Sequence, residues 1–186
     1  MLPNNIWMFV DLVREKPEKF VLEFGTGGGQ SSVLIASHLP EKTIFTIDWF
    51  QGLPKSSKAI PEGINWEEGN YVYEEILTKS VIDPYPNIVL IKSRIEDLKS
   101  PDFYGIEDSI AAVNIDVDIY DSTVSSLEYV NKCKWDFIYI RFDDWHSEDP
   151  KFYDHEQLAF QEFIDQYKYN YEILDSFYTG LVWVKR

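Results

Sequence analysis

Two short runs in the C-terminal half of the chain concentrate carboxylates. Asp116, Asp118 and Asp121 lie within NIDVDIYDS (114–122), and Asp143 and Asp144 within FDDW (142–145). Acids gathered in one place repel strongly unless a cation or bound protons intervene. Carboxylate oxygens without clustered His or Cys suit Mg2+, with Ca2+ or Mn2+ as alternatives, and argue against a structural zinc. The candidates are Asp116, Asp118, Asp143 and Asp144. Asp121 or Ser122 reads as a helix cap, and the plain alternative for the whole set is surface acids or caps. Among the histidines, His146 follows the Asp-Asp pair and competes as a base, whereas His38 and His155 read as surface or capping groups.

A second chemistry-bearing stretch is VLEFGTGGGQSS (21–32). It reads as a buried strand, a glycine turn at 25–29 and a helix start at Gln30, Ser31 and Ser32. Glycines admit positive φ and close backbone approach, and the free N–H groups of a helix start attract anionic or polar ligand groups. Such a turn binds a nucleotide-like cofactor. The third glycine of the dinucleotide pattern G-x-G-x-x-G is replaced by Gln30, and the spacing is instead Glu23-x-Gly25-x-Gly27-x-Gly29. Glu23 is placed to accept from a ligand ammonium. Asp48 follows Gly25 at about the twenty-residue spacing that reaches a ribose diol. Ser93 to Ile95 could hold an adenine ring.

These residues need a scaffold that brings them to one rim. Apolar residues at helical spacing over 4–15 predict a leading helix capped by Asn4 or Asn5. Strands are expected at 20–24, 43–47, 87–91, 110–115 and 135–142. Helices are expected at 30–38, 71–80, 122–133 and 155–167, with a short one at 95–98. A terminal hairpin, 171–177 with 181–185, turns near Gly180. This alternation predicts one α/β domain over 1–186: a doubly wound, mostly parallel seven-stranded sheet covered on both faces, with a C-terminal antiparallel hairpin. Ligands in such sheets collect at the carboxyl ends of the strands, and strands 4 and 5 should be neighbours. Residues 49–70 carry Trp49, Phe50 and Trp66 and read as an aromatic loop beside an acceptor site.

Composition narrows the partners. The 186 residues hold 32 acidic and 17 basic side chains, a formal charge of −15, with no Lys/Arg run. Nucleic acid and anionic membranes are poor partners for such a chain. The single cysteine, Cys133, excludes an intrachain disulfide and reads as a small buried residue. No apolar run spans a bilayer and the start lacks a signal-peptide pattern, so a cytoplasmic protein is expected. The sequence allows a homo-oligomer without specifying one.

The E-x-G-x-G-x-G spacing resembles motif I of the S-adenosylmethionine (SAM) methyltransferases. With TIDWFQGLP (46–54), NIDVDIYDST (114–123) and FDDW (142–145) following in order, the chain resembles the macrocin O-methyltransferase family over about residues 20–165. It departs from that family in the short stretch 1–19 ahead of the first strand, and in Phe142 and Trp145 around the aspartates. The resemblance implies a class I, Rossmann-like SAM methyltransferase that methylates sugar hydroxyls with Mg2+. It implies Asp116, Asp143 and Asp144 as metal ligands and Asp118 as general base. It places SAM on Glu23, Gly25, Thr26, Gly27, Gly29, Gln30, Ser31, Asp48 and Trp49, with Ser93 and Ile95 at the adenine. Asp116 and Asp118, two apart on an extended segment, would project to the same side. Trp49, Phe50, Trp66, Tyr71 and Tyr73 could wall a sugar site. Three alternatives stand beside this reading: an NAD-dependent oxidoreductase, which Gln30 and the aspartates disfavour; a metal-dependent hydrolase, which leaves the glycine turn idle; and a non-catalytic SAM-binding domain.

Overall fold

The computed structural model describes residues 5–146 and 149–186. Asn4, one of the two expected caps of the leading helix, lies outside them. In chain order the elements are α1 (Asn5–Arg14), β1 (Phe20–Phe24), α2 (Gln30–His38), β2 (Thr43–Asp48), α3 (Glu75–Ile82), β3 (Ile88–Lys92), β4 (Ile110–Ile115), α4 (Tyr120–Lys132), β5 (Phe137–Phe142), α5 (Leu158–Tyr167), β6 (Asn170–Asp175) and β7 (Gly180–Lys185). The seven strands form one sheet in the order β3-β2-β1-β4-β5-β7-β6. β1 to β5 pair in parallel and β7 runs antiparallel to both neighbours, so the expected architecture is found. No helix among the described residues is long and apolar enough to cross a membrane.

Two cores hold the layers, because alternate strand residues face opposite sides. Val21, Ile44, Ala112 and Leu181 pack with Ile6, Phe9, Val13 and Ile35 of α1 and α2. Leu22, Phe24, Ile47, Val113, Ile115 and Ile140 pack with Leu127, Val130, Phe160 and Phe163 of α4 and α5. Each fully buried Leu, Ile or Phe contributes about 1.5–3 kcal/mol relative to exposure. Cys133 is buried, as expected, and burial pushes its thiol up to about 12.

Several boundaries differ from expectation for local reasons. α3 begins at Glu75 rather than at residue 71, because Tyr71 has φ +58, a left-handed conformation that cannot continue a helix. The loop after β2 therefore runs through 49–74 and includes Tyr71 and Tyr73. β3 starts one residue late because the Asn87 side chain donates to the carbonyls of Ala36, Leu39 and Lys42, closing the end of α2. α4 starts at Tyr120, so neither Asp121 nor Ser122 is its cap: Ile119 holds that position and offers no side-chain acceptor. α5 starts at Leu158, after a turn over Tyr153–Gln157 in which His155 leaves helical geometry (φ −113, ψ −114).

Candidate functional site

The sheet order reverses between β1 and β4, where chain crossovers leave in opposite directions and a crevice opens at the strand ends. The glycine turn sits there. Gly25 has φ +88, and a β-carbon on it would fall 1.8 Å from the Asp116 carbonyl oxygen. Gly25 N–H donates to Ile47 O (2.9 Å) and Asp116 N–H to Phe24 O (2.9 Å), which locks the turn to β2 and to the end of β4. Gly27 N–H donates to Asp48 Oδ2 (2.9 Å) and Phe50 N–H to Asp48 Oδ1 (2.7 Å), fixing that carboxylate beneath the turn. Each Asp48 oxygen keeps a further lone pair.

Register assembles the acids. Ile115 of β4 pairs with Phe142 of β5, and Asp143 N–H donates to Ile115 O (3.0 Å), so Asp116 and Asp143 leave the sheet side by side. One oxygen each from Asp116, Asp143 and Asp144 lies within 4.8 Å of the others. Burial, then the charges of Asp143, Asp118 and Asp144, holds the Asp116 carboxyl well above its ordinary range, against the pull of Arg141. Burial and Asp144 raise Asp118 in the same way. Asp118 is not on an extended segment: β4 ends at Ile115 and Asp118 has φ +62. Its side chain still reaches the same cavity as Asp116.

One cavity of about 580 Å³ joins these parts. Its lining includes Gly25, Thr26, Gly27, Gln30, Ser31, Asp48, Trp49, Ser93 and Ile95 from the cofactor candidates, and Asp116, Asp118, Asp143 and Asp144 from the acids. Trp66, Tyr71 and Tyr73 also line it, while Phe50 is buried outside it. His146 lines it too, its Nε2 3.1 Å from Asp144 Oδ1 and its ring stacked on Phe152 at 4.0 Å.

Three expectations are corrected. Glu23 is fully buried below the turn, and its carboxylate accepts from Ser32 Oγ, from Thr46 Oγ1 (2.7 Å) and from Asn114 Nδ2 (3.0 Å). It props the turn from inside and is not aimed at a ligand ammonium; burial raises its pKa despite those donors. Gly29 faces away from the cavity, where a β-carbon would meet Ile82 at 2.8 Å, so it permits α3 to pack on the turn. His155 is neither a surface group nor a cap of its own helix. It is fully buried, accepts from Tyr120 N–H through Nδ1 (3.3 Å) and donates from Nε2 to Ala59 O (3.1 Å), capping α4 instead.

The structure adds residues that motif reading passed over. Arg141, 1% exposed, donates to Asn5 Oδ1 (2.9 Å), Asn114 Oδ1 (2.7 Å) and Asp143 Oδ1 (2.5 Å). A lone cation in the apolar strand FIYIRF was the available signal. Asn114 thus joins Arg141 to Glu23, a polar chain running under the rim from the aspartates to the glycine turn. Glu156 accepts the Asp144 N–H (3.0 Å) from a fully buried position, with no partner for its Oε1 among the described residues; nothing in its sequence surroundings marks it.

Strand order, the position of the crevice and the reversed β7 define the class I SAM methyltransferase fold, which is Rossmann-like. No family profile matches the chain, and no curated protein matches it in sequence. Solved structures do. CalS11, a calicheamicin methyltransferase also described as a TDP-rhamnose 3'-O-methyltransferase, matches with a TM-score of 0.73 at 16% identity, over 97% of this chain and 77% of that one. The O-methyltransferase NovP matches at 0.72 and 19% identity, over 97% and 78%. An O-methyltransferase from Bacillus cereus in complex with SAH matches at 0.66 and 14% identity, over 100% and 82%.

Proposed function

We propose that this chain is a SAM-dependent O-methyltransferase that uses a divalent cation, Mg2+ ahead of Ca2+ or Mn2+, and methylates a hydroxyl of a sugar or glycosylated small molecule, as in the macrocin-type family it resembles. The observation that carries this reading is the single cavity shared by the glycine turn with Asp48 and by the aspartates. The fold's likeness to CalS11, whose described substrate is TDP-rhamnose, supports the sugar acceptor.

The residues present fit both groups. Gly25 and Gly27 leave the turn's backbone open to a ligand, Thr26, Gln30 and Ser31 ring the start of α2, Asp48 offers lone pairs to a ribose diol, and Trp49, Ser93 and Ile95 flank the adenine side. Three convergent carboxylates, of which Asp116 is raised in pKa by burial and then by its acidic neighbours, suit a hard cation held by Asp116, Asp143 and Asp144. A bound cation there would lower the pKa of the acceptor hydroxyl and orient it, and SAM would supply the electrophilic methyl. Asp118 takes the proton of the hydroxyl that would receive that methyl group from the SAM sulfonium. Arg141 holds one Asp143 oxygen and leaves the other for the cation. Tyr71 and Tyr73, both exposed on the cavity wall, stack on sugar faces and exclude water, with buried Trp66 behind them.

The test is methyl transfer from SAM to methyl α-L-rhamnopyranoside and to TDP-rhamnose, with Mg2+ and with EDTA, beside calorimetry with SAH and NAD. SAH binding without NAD binding, and transfer that EDTA abolishes, is the expected result. NAD binding in place of SAH, or transfer indifferent to EDTA and to Asp143→Asn, would overturn it.

A further inference from the structure

Two consecutive side chains of the turn over Tyr153–Gln157 hold the backbone that carries the second aspartate of the Asp143–Asp144 pair. Glu156 Oε2 accepts the Asp144 N–H (3.0 Å), and Gln157 Nε2 donates to the Trp145 carbonyl. His155, just before them, ties the same turn to Ala59 in the loop over 49–74 and to Tyr120 at the start of α4. The Tyr178 carbonyl adds a further hold, accepting from Trp145 N–H and His146 N–H (both 3.0 Å).

The two aspartates are anchored differently. Asp143 continues the sheet: its N–H donates to Ile115 O (3.0 Å), and Arg141 holds one of its oxygens. Asp144 lies one residue beyond that ladder, and its N–H goes instead to the Glu156 side chain, while its Oδ1 meets His146 Nε2 at 3.1 Å. Packing alone does not account for a carboxylate at residue 156. Glu156 is fully buried, with no partner for its Oε1 among the described residues, and such an oxygen opposes folding. An apolar side chain of similar volume would fill the space as well or better. It could not accept the Asp144 N–H.

We propose that Glu156 is a positioning residue for the cation site: by accepting the Asp144 N–H it fixes the backbone from which the Asp144 carboxylate converges on those of Asp116 and Asp143. This rests on the reading of Asp116, Asp143 and Asp144 as cation ligands. Groups that hold a metal ligand in place without touching the metal set how well the ligands are aimed. Because His155 joins the same turn to the loop over 49–74, the aspartates and that loop share one support.

The test takes Mn2+ as the probe, on the full-length protein without acceptor, and reads free Mn2+ from its EPR signal. Glu156→Leu removes the acceptor for the Asp144 N–H and should weaken Mn2+ binding about 10–100-fold, the range for partners that orient metal ligands. Glu156→Gln keeps a carbonyl oxygen for that N–H and should recover most of the loss. SAH affinity, measured by calorimetry, should match wild type in both variants. Wild-type Mn2+ affinity in Glu156→Leu overturns the proposal. So does a loss in Glu156→Gln as large as in Glu156→Leu, which would assign the effect to charge, or a fall of SAH affinity alongside Mn2+ affinity in Glu156→Leu, which would assign it to the fold as a whole. Failure of the cation reading looks different: wild-type protein that binds no Mn2+, or binds it equally well after Asp143→Asn.

Discussion

Gly25 and Asp116 meet backbone to backbone at the switch point of the sheet: no side chain fits at Gly25, because its first carbon would lie 1.8 Å from the Asp116 carbonyl oxygen. The turn proposed to hold the methyl donor is thereby built directly on the residue that opens the aspartate run. Gly25→Ala must displace β4's end or the turn, besides adding about 1–2 kcal/mol of strain at φ +88. SAH affinity and Mg2+-dependent turnover should therefore fall together, with a lowered melting temperature. Calorimetry and thermal denaturation check this; a variant that loses only one of the two functions would contradict the shared construction.

Removal of one cluster carboxylate should cost the cation. Asp143→Asn keeps the size and an acceptor for Arg141 while removing a charge beside Asp116 and Asp144. We expect Mg2+ dependence to shift to higher concentration by at least about tenfold, with SAH binding intact. Turnover titrated against Mg2+ is the measurement.

Arg141 is buried with three side-chain acceptors from α1, β4 and the β5 end. Arg141→Met leaves Asn5, Asn114 and Asp143 without their donor, and breaking a buried charged pair costs about 3–5 kcal/mol. A fall of that size in the unfolding free energy obtained from urea titration is expected. Retained stability would mean that water replaces the guanidinium.

His155 carries a pH dependence whose sign follows from its burial. Desolvation lowers its pKa below 6.5, so the unfolded chain binds the proton more readily than the folded one. Its contribution to stability is whole above pH 6.5 and is lost as pH falls from there through the lowered folded value, by up to about 1.4 kcal/mol per pH unit. Glu23, raised by burial, works in the opposite sense above 4.5, so the difference between variants is the useful quantity. Subtracting His155→Gln from wild type, in urea unfolding at pH 5, 6 and 7, should leave a slope of this sign; equal slopes in both proteins would refute it.

Much of the architecture was readable one segment at a time. Apolar alternation, glycine placement and an acid or polar group at each strand end are local, and strand and helix periods are written into neighbouring residues, so five parallel strands, the hairpin and the rim of acids followed from them. Local pattern misled where a distant residue decides conformation. Tyr71 and Tyr73 read as the start of a helix, yet Tyr71 turns left-handed and both face the cavity. Asp118 read as extended and projecting beside Asp116, yet it holds φ +62 beyond the end of β4.

Charge and size in Glu23, Gly29, Arg141 and His155 were visible from the start, but their direction was not. Glu23 belongs to a G-x-G pattern that suggests a ligand, and only the packing of Ser32, Thr46 and Asn114 around it turns its carboxylate inward. Arg141 becomes part of the rim because β4 and β5 pair in one register and α1 lays Asn5 across them. Residue types and their spacing thus set which chemistry was available; the partners of each buried polar group, which come from elements far apart in the chain, decided which residues face the cavity and which support it from below, because a buried polar atom must find its partner wherever the fold brings one.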